Sequence, residues 1–158
     1  MYNSRVTLNY LLEGIVAGIS TDINMPIEFM VEESDFKQYP GVCLYYLMSG
    51  IRNDVTQEHY HHVDIDVFTN CKNTRDDVLI MEGIYKGLDL DHNNVNHFSV
   101  FDKYDYNRDI NDPAPPKRGK IRVKLMDGMG WEKVRQYEDV RQYTASLIVY
   151  YKQDFRIS

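Results

Sequence analysis

The chain is poor in the residues that usually announce a chemistry. Only two cysteines, Cys43 and Cys71, occur among 158 residues, too few for a disulfide framework or a cysteine-rich metal site. No apolar run is long enough to span a bilayer, the opening Met1 to Arg5 lacks a signal peptide's layout, and no Asn-x-Ser/Thr acceptor occurs. These absences predict two reduced thiols, a cytoplasmic setting and no membrane contact. Ser99 and Ser146 sit in no Gly-x-Ser-x-Gly elbow. Gly128 and Gly130 are followed by Trp131 instead of the Lys and helix that a phosphate loop needs, so they read as a turn. Carboxylates pair along the chain, as in Glu32-Glu33, Asp76-Asp77 and Glu138-Asp139. Adjacency in sequence is not convergence in a pocket. Nothing here points to an enzyme or a cofactor.

What is present is the size of one ordinary domain with an uneven charge. The net charge is −6; residues 1–79 hold 5 basic and 12 acidic side chains, residues 80–158 hold 13 and 12. Such a balance argues against a general nucleic-acid binder. Thirteen tyrosines reflect either an AT-rich codon bias or contact surfaces, where a rigid ring with a polar tip gives area at low entropic cost.

Leu8, Leu11, Leu12, Ile15, Val16 and Ile19 mark one face of a helix over Ser4 to Ile19. Ser4 is its expected cap, and Gly14 and Gly18 are read as tolerated in it. Ile27 to Glu32 predicts a short strand. After Tyr39-Pro40-Gly41, the run Val42 to Met48 predicts a central one. In Glu58 to Thr69, Val63, Ile65 and Val67 alternate with His62, Asp64 and Asp66, the pattern of a half-buried strand. Thr74, followed by Asp76 and Asp77, predicts the capped start of a second helix that stops at Gly87. His97 to Phe101 reads as a strand whose period Tyr104 and Tyr106 continue. Asp112-Pro113-Ala114-Pro115-Pro116 predicts an extended arm or loop over about 109–120, because proline removes donors and fixes the backbone. Ile121, Val123 and Leu125 alternate with Arg122 and Lys124, and Trp131 to Tyr137 forms either a hairpin arm or a helical turn. In the last strand, Tyr143 to Lys152, Tyr143, Ala145, Leu147, Val149 and Tyr151 share a face. The sum is a single α+β domain over residues 1–158, a mostly antiparallel or mixed sheet flanked by two main helices.

Two constellations carry chemistry. His62, Asp64 and Asp66 share a strand face, close enough for an ion in principle; three ligands in a row on a flat strand rarely converge, which favours a hydrated outer face or subunit contact. The cluster Lys117, Arg118, Lys120, Arg122 and Lys124 has two readings. Either it meets DNA or an acidic groove of a neighbouring subunit, or it is a solvated loop and the polar face of an edge strand.

In the order helix, Tyr39-Pro40-Gly41 entry to an apolar strand, second helix, and tyrosine-rich closing strand Tyr143 to Tyr151, the chain resembles the tail terminator or tail-completion proteins of tailed phages. That resemblance implies a virion protein of the tail or neck, assembled in the host cytoplasm. Its subunits would close into a ring, commonly a hexamer, that caps the tail tube protein and meets the head-tail connector or stopper protein. It implies no catalytic residues and no cofactor. Within it, Lys117 to Lys124 are expected to face a neighbouring subunit or passing DNA, with Tyr60, Tyr104 and Tyr106 as contact aromatics. The alternatives are a head completion protein, a tube subunit, or a small metal-dependent hydrolase or nuclease using His62, Asp64 and Asp66.

Overall fold

The computed structural model describes residues 4–32, 35–53, 55, 58–90, 94, 97–104, 117–126 and 130–152. Helix α1 (Ser4–Asp22) buries Leu8, Leu12, Val16 and Ile19, the stripe its periodicity announces. It runs three residues past Ile19, because Ser20 and Thr21 satisfy carbonyls at Met25 and Ala17 and a left-handed Asn24 (φ 52°) then ends it. The side chain of Ser4, its expected cap, lies outside the described residues. Helix α2 (Thr74–Gly87) is capped one residue earlier than expected: Asn73 accepts the Arg75 backbone N–H at 3.0 Å. Nor does Gly87 supply the stopping turn, which falls to Asp89 (φ 51°) after Leu88.

Glycine serves another end. Nothing lies within 4 Å of a Cβ built on Gly14 or Gly18, whereas Cβ atoms on Gly83 and Gly87 of α2 would come within 2.7 Å of Ile19 and Ile15 of α1. The missing side chains on α2 are what let the two helices pack.

Among the described residues seven strands form one mixed, mostly antiparallel sheet: β1 (Glu28–Val31), β2 (Gly41–Asn53), β3 (Glu58–Thr69), β4 (Ser99–Tyr104), β5 (Lys117–Leu125), β6 (Glu132–Tyr137) and β7 (Val140–Lys152), in the order β1-β2-β3-β7-β5-β4 with β6 also on β7. Among the described strands only β1 pairs in parallel, with β2. β7 pairs with β3 from Arg141 to Lys152; on its other side β6 takes Val140 to Thr144 and β5 takes Leu147 to Tyr151. The hairpin reading of Trp131 to Tyr137 is therefore the one adopted. β5 begins at Lys117, inside the stretch expected to be an arm, because no proline beyond Pro116 removes a donor from the ladder. It is flanked by β4 and β7, so it is not an edge strand. The remainder of the expected arm lies outside the described residues.

Register sorts the side chains into two faces. One face presents Val42, Leu44, Val63, Ile65, Val67, Leu147, Val149, Ile121, Val123 and Leu125, all buried in the cluster that holds α1 and α2. The other presents Glu58, Tyr60, His62, Asp64, Asp66 and Phe68 of β3 beside Lys152, Tyr150, Ile148, Ser146, Thr144 and Gln142 of β7. This outer face carries no helix among the described residues. At one end the Phe36 ring lies against Phe68, 5.3 Å between centroids, and over Gly41, where any Cβ would collide with it.

Candidate functional site

At the opposite end of the outer face lies an interlocked group of cations and rings. Alternation along β5 turns Lys120, Arg122 and Lys124 outward while Ile121, Val123 and Leu125 are buried. Arg122 pairs across to Tyr150, and its guanidinium sits 5.5 Å from that ring and 5.0 Å from Phe98. Lys124 approaches Phe98 at 5.0 Å, and Arg52, from the far end of β2, covers Tyr150 at 4.7 Å. Glu58 joins the two arginines, accepting from Arg52 at 2.7 Å and from Arg122 at 2.9 Å. A cleft of about 460 Å³ opens here, lined by Glu58, Lys120, Arg122, Tyr150, Tyr151 and Lys152.

The structure thus unites three of the five basic residues expected from sequence. The side chains of Lys117 and Arg118 lie outside the described residues. Arg52, Glu58, Tyr150 and Lys152, which other strands bring in, and Phe98, which stands just before β4, carry no mark of this neighbourhood in the sequence. Of the expected aromatics, Tyr60 lies on the outer face beside His62, 5.1 Å between ring centroids. Tyr104 pairs with Lys117 in β4, its side chain outside the described residues, as is the whole of Tyr106.

His62, Asp64 and Asp66 do share the outer face, but the carboxylates are engaged. Ser146 donates to Asp64 at 2.7 Å and Thr144 to Asp66 at 2.5 Å. Among the described residues no three His, Cys, Asp or Glu side chains gather as metal ligands would. Burial, reinforced by the charge of Asp64, raises the pKa of Asp66 above its ordinary value.

The sheet also has two unlike apolar margins. β1 covers β2 only from Gly41 to Leu44, and beyond it no described strand pairs with that margin, where Leu47, Met48 and Ile51 are 60%, 49% and 56% exposed. Register shifts at Tyr46/Met48 and Ile51/Asn53 interrupt the β2–β3 ladder along this same stretch. On the far side of β3 and β7, all six residues of β6 are exposed, Val134 and Tyr137 among them. A groove of about 540 Å³ runs between Tyr137, Val140, Tyr39 and Phe68.

Comparison with known proteins gives little. No family model and no curated relative matches the chain. One solved structure, the virion of a native gene transfer agent particle, contains a chain that is similar over 90% of this one and 92% of its own length, at 10% identity and a TM-score of 0.45. That likeness is too loose to assign a role.

Proposed function

We propose that this chain is a structural subunit of a tailed-phage virion that closes into a ring by head-to-tail contact, in the role of a tail terminator. The observation that carries the ring is the pair of unlike apolar margins, Leu47-Met48-Ile51 on β2 and Val134-Tyr137 on β6, on opposite sides of one sheet. A heterologous contact needs two different patches on one subunit, and closes into a ring when the rotation between copies allows it. Exposed apolar side chains collected at a margin favour a partner over water. The terminator role is supported by the element order set out above, in which Tyr39-Pro40-Gly41 enters β2 and the tyrosine-rich β7 comes last along the chain among the described elements. In this reading six copies cap the tail tube and meet the connector or stopper, and the work is done by binding, without turnover.

The test is the solution mass by light scattering, alone and with tail tubes. The native chain should give a closed, ring-sized species, or form one on tube ends. Leu47→Glu with Ile51→Glu, and separately Val134→Glu with Tyr137→Ser, should each leave monomers. Mixed together, the two variants retain one intact contact between them and should give a species of two subunits. A native monomer indifferent to tubes, or a mixture that stays monomeric, sinks the ring. Long tubes formed by the native chain alone indicate a tube subunit instead.

A further inference from the structure

We propose that the groove between Tyr39 and Tyr137 is the socket of the contact between copies: it takes Leu47 of the neighbouring copy, and Glu13 of that copy meets Arg135 at the rim. The inference rests on the ring reading and adds which side chain seats where. Leu47 is the most exposed of the three apolar side chains of its margin, at 60%. It falls at the register shift between Tyr46 and Met48, so no residue of β3 stands opposite it. The groove, of about 540 Å³, is lined by Phe68, Val140 and the two tyrosines, with Arg135 and Gln142 among its polar groups. An apolar floor within a polar rim is the form of a pocket that holds one anchoring side chain.

One wall of the groove is set before any partner arrives. The Phe36 ring lies 5.3 Å from Phe68 and 6.1 Å from Tyr39 between centroids, and Glu28 accepts the Lys37 and Gln38 backbone N–H groups at 2.9 and 3.3 Å. Little ordering is left for the contact itself to impose. Charge picks out the occupant. Next to Leu47, the Tyr46 hydroxyl donates to the Asn9 side-chain oxygen of α1 at 2.7 Å, and Glu13 stands about one turn further along the same face of that helix. Arg52, the cation on the margin's own strand, is engaged by Glu58 and Tyr150. Among the described residues Glu13 makes no ion pair, and neither does Arg135, although Glu132 shares its face of β6 and Glu138 and Asp139 close the hairpin. A lone acid beside one margin and a lone base beside the other favour the pairing of unlike margins over that of two like ones.

The test measures a single contact. In a mixture, the Leu47→Glu, Ile51→Glu chain offers only its groove and the Val134→Glu, Tyr137→Ser chain only its β2 margin, and sedimentation gives the dissociation constant of the pair. Arg135→Glu in the groove chain and Glu13→Arg in the margin chain should each weaken it about 3–10-fold, and the two reversals together should restore it to within about 2-fold. Tyr39→Ala in the groove chain and Leu47→Ala in the margin chain should together lose less than the product of their separate losses, as residues in contact do. Thermal unfolding of each chain is recorded alongside. A two-subunit species in which the reversals do not rescue one another and the alanine losses multiply overturns the socket and leaves the ring standing. A mixture that stays monomeric removes both.

Discussion

The two faces of β3 differ by one residue in register and by nearly everything else. Val63, Ile65 and Val67 are fully buried beneath the helices, while His62 and Asp64 on the opposite face stay partly exposed. The obvious lesson, apolar inside and polar outside, is incomplete. Among the described residues, the most tightly tied charge belongs to the covered side. Asp77, in the first turn of α2 and fully buried, accepts from Arg141 Nε at 2.7 Å, from Arg141 Nη2 at 3.2 Å and from Tyr143 at 2.9 Å. Arg141 also donates to the Cys71 carbonyl at 2.5 Å. Burial, with the hydrogen bond to Asp77 next, raises the Tyr143 pKa and keeps its phenol neutral. The covered face is thus built to forbid change and the open face to permit it.

Breaking that arrangement should cost most at Asp77. In Asp77→Ala the Arg141 guanidinium, whose side chain is 13% exposed, loses its carboxylate while still buried, and such a loss costs about 3–5 kcal/mol. Urea unfolding of the variant should show the midpoint falling with little change in slope. A loss under about 1 kcal/mol would mean that the pair behaves as a surface pair does.

This centre was the least legible part of the sequence. Asp77 reads there as a carboxylate favoured by the helix dipole at a helix start, and Arg141 lies 64 residues away. Hydrophobic period says which face of an element is covered, never which residue of a distant strand meets it. That is why the ends of β3, Glu58–Thr69, and the shared face of Lys120, Arg122 and Lys124 are legible in the sequence, whereas the nearness of Arg52 and Glu58 to that face is not. The same limit hid the parallel pairing of β1 and the closeness of Gly83 and Gly87 to α1. The reach of β2 past Gly50 to Asn53 was lost for another reason. Glycine punctuates a sequence, but here Gly50 stays in the strand because the Tyr60 ring occupies the space of its missing side chain, within 2.6 Å of a Cβ built there.

The two faces can be compared directly at neighbouring positions. Ile65→Ala removes a fully buried side chain and should cost about 2–5 kcal/mol. Ser146→Ala takes away the donor to Asp64 on the open face and should cost about 0.5–1.5 kcal/mol, since water can replace it. Both values come from one urea series. Equal losses would show that the outer face is as closed in solution as the covered one.

The smallest effect is also the sharpest probe of the boundary between open and covered, because Asp66 lies on the outer face yet is only 8% exposed. Its folded pKa is raised from 3.8, first by burial and then by the charge of Asp64, against opposing hydrogen bonds from Thr144 and Gln142. Between 3.8 and the raised value the folded chain keeps a proton that the unfolded chain has released, so stability must fall as pH rises through that window. Above the window the penalty is constant, and below it there is none. Asp66→Asn retains the volume and an oxygen to accept from Thr144, but has no charge to desolvate. The native-minus-variant difference in unfolding midpoint should therefore decline as pH rises through the window and then level off, leaving the variant the more stable at neutral pH. A flat difference would mean that this end of the outer face is wet, and that the Phe36 ring does not close it.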